Sequence, residues 1–424
     1  MFAVLRKRNF SLLWLGQIVS MCGDGFLIIA LPYYVYQLTG SVLQTGIAVI
    51  VETLPAVLLS SLAGVFVDRW NRRWTMMIAD LLRAAVLLLM LLVHSVGLLW
   101  LIYVAIAVQA IITQFFTPAS MALIPSLVEE EQLMSANSLS SFGQSVVRLI
   151  GPPIGGILFT ALGLTGIVLV DSATYMFSAL MLLLISVPAS AYVSKGAEQK
   201  ERIRIAAAMK HLWEEWTGGL RLIGRSQTLV GIFLTMGVLM LGQGIIQVMF
   251  VVFVRSVMHG DAMIYALVLT AQGVGSMLGA MLNGVISKWL RPGYQIALAG
   301  LTAGAAILII IYYPQLILVM ILTGLMGIFV VGLVVTLYTL LQVGAEDRYR
   351  GRVFGTLQTV MSLAMLISMT LSSSLGDRLG VVPWMTISGA LVLLSGFVAL
   401  FTLRQARLPQ QEKQAAEKEI ELSV

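Results

Sequence analysis

One cysteine, Cys22, three histidines and a charged fraction of only 11% stand in a chain of 424 residues. A single thiol cannot close an internal disulfide or build a thiolate metal cluster. The histidines, His94, His211 and His259, are far apart in the sequence and suggest no imidazole metal site. H-E-x-x-H, G-x-S-x-G and Walker sequences are all missing, so no metallohydrolase, serine hydrolase or ATP-driven motor is legible. An enzyme is not expected, nor any cofactor. A soluble chain of this size would carry roughly a quarter charged residues.

What is present is apolar length. Hydrophobic residues make up 59% of the chain, and the mean hydropathy is +0.95. Apolar runs of about 20 residues recur from end to end, each able to cross a ~30 Å hydrocarbon core at 1.5 Å per residue. The short alternating segments of a membrane barrel are not seen. The expected fold class is therefore an all-α polytopic membrane protein. Hydrophobic runs and turn signals predict twelve spans. Six lie at 10–36, 43–64, 74–93, 98–117, 138–161 and 165–187, and six at 228–254, 262–286, 294–312, 316–342, 353–375 and 383–403. The opening "MFAVLRKRNFSLLWLGQ" has the charge and apolar run of a signal peptide but no A-x-A site after it, and reads as a retained first span.

The net charge of +6 does not indicate nucleic acid, because of where the charges fall. Of 26 Lys and Arg residues, 22 lie in alternate loops and the tail, while only Arg255 and Arg378 fall in the opposite set. The positive-inside rule then puts both termini in the cytoplasm. The stretch 194–225 is charged and is expected to hold a helix along the inner surface, with Ile203, Trp213 and Trp216 toward the headgroups. The expected organisation is a six-helix bundle at 1–190, a cytoplasmic loop at 191–227, a second bundle at 228–404 and a polar tail at 405–424. A monomer in the bacterial inner membrane is expected.

The second half aligns with the first at an offset of 220 residues. Gly40 falls on Gly260, Gly64 on Gly284 and Glu52 on Gln272, and "GVFVD" (64–68) lies over "GVISK" (284–288). Two bundles related by an axis along the membrane normal would enclose a substrate cavity near mid-membrane.

Four charges lie near mid-span: Asp24, Glu52, Arg83 and Arg148. Each costs roughly 2.5–3.5 kcal/mol at a helix centre unless it faces water or a partner. Asp24, between Gly23 and Gly25, is the best candidate proton carrier. Glu52 is a second proton group, a contact for cationic substrate, or simply a structural hydrogen-bonding residue. Arg148 is expected to pair with one of these acids, and Arg83 with Asp80 one turn before it. The spans of the second half hold no acid. Their amides and hydroxyls, with Met236, Met240, Met249, Met361 and Met365, would suit varied hydrophobic ligands, or the methionines simply face lipid.

The stretches "GDGFLIIALPYYVYQLTGS", "AGVFVDRWNRRWTMMIADLLRA" and "RLIGPPIGG" resemble the major facilitator superfamily, and within it the macrolide-efflux branch of bacterial drug:proton antiporters, which includes the enterobactin exporter. The resemblance implies a cytoplasmic gate at Gly64, Asp68, Arg69, Arg72 and Arg73. Physically, such a carboxylate and its arginines could latch helix ends together and release them on alternate strokes, or the arginines could only fix topology. "GPPIGG", with Gly151, Pro152, Gly155 and Gly156, is similar to the fifth-span antiporter motif, which implies export. One departure is the fourth-span stretch "AIAVQAII" (105–112), which lacks the arginine many drug antiporters carry there. The expectation is a proton-coupled exporter of amphipathic, drug- or macrolide-like organic compounds, with protons, the substrate and the bilayer as its partners. A dedicated exporter of one metabolite or siderophore, or a sensor or scaffold that transports nothing, are the alternatives.

Overall fold

The computed structural model describes residues 2–67, 70–186, 218, 223–224, 226–344 and 350–404. Among these there is no strand, and eleven helices are long and apolar enough to cross a membrane. In chain order they are α1 (Arg8–Thr39), α2 (Val42–Val67), α3 (Arg72–Leu88), α4 (Leu99–Leu123), α5 (Leu133–Leu183), α6 (Gln227–Ser256), α7 (Ala262–Trp289), α8 (Pro292–Tyr312), α9 (Leu316–Gly344), α10 (Arg350–Leu379) and α11 (Val381–Thr402). The predicted spans coincide with these helices to within a few residues, with one difference. The spans predicted at 138–161 and 165–187 form the single element α5, whose backbone leaves helical geometry only at Gly163 (φ 64°, ψ −167°). A straight helix of that length would run roughly 75 Å, more than twice the hydrocarbon core, so the break gives two arms each of spanning length. Glycine accepts this left-handed φ without the Cβ clash other residues would suffer.

The described residues up to 186, together with Val254–Thr270, form one compact unit, and the remainder forms a second. In the first unit α1 lies against both arms of α5, and glycines set the spacing. A Cβ on Gly155 would sit 2.9 Å from the Cα of Phe26, and one on Gly25 would sit 3.4 Å from the Cα of Gly151. Side by side, backbones this close gain dispersion contacts that larger residues would block. Pro152 and Pro153 sit inside α5 and lack the N–H groups that would bond the carbonyls one turn back. The second unit uses the same device between α8 and α11, where a Cβ on Gly300 would meet Gly396 at 2.7 Å. Between α7 and α9, a Cβ on Gly275 would meet the carbonyl of Gly324 at 1.9 Å.

The residue offset that pairs Gly40 with Gly260 does not carry over into backbone geometry. Gly40 ends α1 with φ 63°, its N–H bonded to the carbonyl of Tyr36. In the turn after α6 the positive φ falls instead on His259 (51°), and the Gly260 N–H returns to the carbonyl of Val254 at 2.8 Å. That turn belongs to the first unit. The Arg255 Nη1 donates to the Tyr33 hydroxyl at 3.0 Å, with the guanidinium 5.7 Å from the Tyr33 ring centroid. The Tyr33 ring also meets Phe159 edge-on at 5.6 Å.

The loop and tail expectations for 194–225 and 405–424 fall almost wholly outside the described residues, as do Asp68 and Arg69 of the expected gate. Gly64 lies within α2.

Candidate transport cavity

A cavity of about 250 Å³ opens within the first unit. Its polar lining comes from Asp24 on α1, Glu52 on α2, Gln109, Thr113 and Gln114 on α4, and Tyr175 on the second arm of α5. Leu, Ile, Met and Ala side chains supply the rest of the wall. Glu52 is exposed to this space and Asp24 is half-buried. The two lie within electrostatic reach of each other. The Tyr175 hydroxyl, itself almost fully buried, donates a hydrogen bond to Asp24 Oδ1.

Behind the cavity wall lies a second layer of charge. Asp80 and Arg83, one turn apart on α3, form an ion pair at 3.6 Å and are 0% and 3% exposed. The Arg83 guanidinium stacks 4.4 Å from the Phe116 ring centroid and 5.4 Å from that of Tyr175. Cations over aromatic faces at this range are attracted by the ring quadrupole, more so in a dry interior. Asp171, also 0% exposed, completes the cluster, and it interacts electrostatically with Asp24, Asp80 and Arg83. Gln109 ties α4 to this layer by donating to the backbone carbonyl of Arg83 at 3.3 Å.

The sequence brought Asp24, Glu52 and Arg83 to notice, and the fold brings them to one region. Arg148 is different. Val147 is the residue that faces α1, close to Gly25, and the next position along the helix turns away, leaving Arg148 exposed. Among the described residues it forms no ion pair with an acid, so the expected pairing with Asp24 or Glu52 is not what the structure shows. Gln272, the counterpart of Glu52, lines a separate cavity of about 270 Å³ within the second unit, with Gln243 and Met236, Met240 and Met361. Met249, read from the sequence as a ligand contact or a lipid-facing residue, is wholly buried in packing.

Asp171 and Tyr175 were missed by sequence reasoning. Asp171 sits near the edge of its apolar run, "IVLVDSATYMF", where an acid reads as a loop neighbour. The signal that could have found it is its distance from any Gly or Pro turn on the C-terminal side. Tyr175 carries no sequence signal, since a tyrosine in a span is ordinary.

At the start of α3, Arg72 and Arg73 donate to backbone carbonyls of neighbouring helices. Arg72 Nη1 donates to the Ala122 carbonyl at 2.8 Å, near the end of α4. Arg73 Nε and Nη2 donate to the Leu182 and Leu183 carbonyls, at 2.7 and 2.6 Å, at the end of α5. These carbonyls lie in the last turns of α4 and α5, where cations are favoured by the helix dipole. The α3 start itself is capped by Asn71, whose side chain accepts from the Trp74 N–H.

No cluster of metal-ligating residues occurs among the described residues. Membrane-crossing helices enclosing a cavity lined by two carboxyl groups are the arrangement of a membrane transporter. The chain belongs to the Major Facilitator Superfamily, whose family model matches residues 13–369. It is a multi-pass protein of the bacterial inner membrane. The chain is 25% identical over 396 residues to macrolide efflux protein A of Streptococcus pyogenes, covering 92% of this chain and 95% of the relative. It is 26% identical over 424 residues to the multidrug efflux pump Tap of Mycolicibacterium fortuitum, covering 96% and 99%. Among solved structures, the nucleoside transporter NupG matches with a TM-score of 0.74 at 11% identity, covering 94% of this chain and all of that one. A bacterial homologue of the iron transporter ferroportin, in an inward-facing state, matches with a TM-score of 0.68 at 16% identity, covering 93% and 98%. At these identities the structural matches speak for the fold alone.

Proposed function

We propose that the protein exports amphipathic organic cations and drug-like compounds in exchange for protons, by alternating access of two six-helix bundles. In this reading α5 crosses twice, which gives twelve crossings, and the Lys and Arg distribution places both termini in the cytoplasm. The bundles are residues 1–190 and 228–404. The observation that carries the reading is the cavity whose wall sets the carboxyls of Asp24 and Glu52, with Gln109, Thr113, Gln114 and Tyr175, among Leu, Ile, Met and Ala side chains. Apolar walls take up the body of an amphipathic molecule, and carboxylates select for positive charge. The macrolide and multidrug efflux relatives favour outward transport of such compounds.

Asp24 is the proton carrier and exchanges its proton for cationic substrate, with Tyr175 orienting its carboxyl. Glu52 draws cations into the cavity. The close approach of α1 and α5 at Gly25, Gly151 and Gly155 lets the two helices move as one body during the stroke. Gly64, Asp68, Arg69, Arg72 and Arg73 form the cytoplasmic gate, with Arg72 and Arg73 bracing the ends of α4 and α5.

Ethidium accumulation in an efflux-deficient bacterial host tests the reading. Cells expressing the protein should hold less ethidium than vector controls, and an uncoupler should erase the difference. Vector-level accumulation of both ethidium and a labelled macrolide, with the protein well expressed, would favour a dedicated metabolite exporter. An unchanged difference in the presence of uncoupler would remove proton coupling.

A further inference from the structure

We propose that the cavity of the second unit is a binding site of its own, for uncharged organic molecules that join an apolar ring body to carbonyl or hydroxyl groups. Its part in export rests on the transport reading above; its capacity to bind does not.

The cavity holds about 270 Å³ and is lined by side chains of α6, α7, α8, α9, α10 and α11. Among the described residues of its wall none is charged, whereas Asp24 and Glu52 line the cavity of the first unit. An ionic ligand would lose hydration there without meeting a counter-charge, so the wall favours neutral molecules. The volume lies near the lower edge of the roughly 300–1,000 Å³ typical of small-molecule pockets. It fits a compound built on a single ring, or one end of a larger one.

Three polar groups interrupt the apolar wall: the carboxamides of Gln243 on α6 and Gln272 on α7, and the hydroxyl of Tyr338 on α9. None of these side chains makes a hydrogen bond among the described residues. All three residues are only partly exposed. Partly buried donors and acceptors without a protein partner are completed by water or by a ligand. A carboxamide both donates and accepts, so it pairs with carbonyl and hydroxyl alike.

The backbone beneath these groups is fixed by neighbouring helices. Gln243 stands between two glycines. The Gly242 carbonyl accepts from the Ser388 hydroxyl of α11 at 2.8 Å, and a Cβ on Gly244 would fall 2.5 Å from the Met365 carbonyl of α10. At Gln272 the backbone of α7 meets Gly327 of α9, where a Cβ would strike the Gln272 carbonyl. The Tyr338 ring stacks on Phe354 of α10, with centroids 5.8 Å apart and planes 6° apart. Around these fixed points lie Met236, Met240, Met326 and Met361, whose unbranched thioethers adapt to rings of different shape. Fixed hydrogen-bonding groups in an adaptable wall suit a range of neutral compounds rather than one.

Equilibrium dialysis of radiolabelled chloramphenicol, a neutral molecule with a ring, an amide and hydroxyls, tests this on the purified full-length protein in lipid nanodiscs. Empty nanodiscs measure partition into lipid. The wild type should bind the compound saturably, and saturating ethidium should leave that binding in place, because the two ligands occupy different units. Gln243→Leu and Gln272→Leu keep the bulk of the side chain and remove the amide. Each should weaken binding about three- to tenfold, the range for loss of one neutral hydrogen bond. The competition with ethidium needs no variant, and so decides the matter even where a substitution fails to fold. Absence of saturable binding, displacement by ethidium, or unchanged affinity in both glutamine variants would each overturn the proposal. Chloramphenicol bound as expected by a protein that moves no ethidium under a proton gradient would count against the transport reading and leave this site standing.

Discussion

Tyr175 donates its hydroxyl to the carboxyl of Asp24, joining the second arm of α5 to α1 at the wall of the cavity. The bond sets the orientation of the acid that the account makes the proton carrier. It also explains why a tyrosine, rather than an apolar residue, is buried there: its ring packs beside Arg83 while its polar end reaches the cavity.

Removing that hydroxyl should therefore weaken transport more than it weakens the fold. For Tyr175→Phe, ethidium transport should fall about tenfold or more, since a hydrogen bond to a charged group contributes ~1.5–3 kcal/mol. Expression and thermal stability should stay close to wild type. Transport rates in vesicles beside melting curves of the purified protein check this.

Glu52 is exposed to the cavity and lies within the electrostatic field of Asp24. Glu52→Gln keeps its shape and removes its charge. The variant should raise the ethidium concentration needed for half-maximal transport by roughly tenfold, as loss of one charge contact would. Resistance to an uncharged compound such as chloramphenicol, if the wild type confers any, should change little. Dose–response curves for the two compounds separate a substrate contact from a general loss of function.

Gly155 is a position where added volume has nowhere to go. A Cβ there would lie 2.9 Å from the Phe26 Cα, which is backbone and cannot swing aside. Gly155→Ala should cost about 1–3 kcal/mol, the usual penalty of overpacking, and lower the melting temperature of the purified protein. Gly40→Ala has open space around it, and its cost should come only from the positive φ.

Arg73 holds two carbonyls at the end of α5. Arg73→Ala leaves both without that donor and should destabilise the protein by about 1–3 kcal/mol. Arg73→Lys keeps the charge but not the fork of donors, and should recover only part of the loss. Arginines in a polar loop read as topology signals, and the sequence alone could not distinguish that from bracing, because the carbonyls they bond lie 50 residues away for Arg72 and 109 and 110 away for Arg73.

The same limit decides what else was legible. Span positions followed from hydropathy because a membrane crossing needs a continuous apolar run, and that is a local property of sequence. The joining of two spans into α5 was not visible, since "ALGLTG" reads as a turn, yet only Gly163 departs from helix. Asp24 and Glu52 stood out by the cost of a charge in lipid. Arg148 stood out for the same reason, but which face of a helix a residue takes depends on the neighbour it packs against. Here that neighbour is α1, which selects Val147. Tyr175 matters only through its contacts with Asp24 and Arg83, so no property of its own segment marks it, while Asp171 was marked only by its distance from a turn on its C-terminal side.

The most direct test of the central claim is gradient-driven ethidium movement in reconstituted vesicles. An imposed proton gradient alone, with no other energy source, should drive ethidium against its concentration in wild-type vesicles. Asp24→Asn vesicles, carrying the same amount of folded protein, should show only passive equilibration. Equal gradient-driven accumulation by Asp24→Asn and wild type would contradict the assignment of Asp24 as the carrier, and accumulation indifferent to the gradient would contradict proton exchange itself.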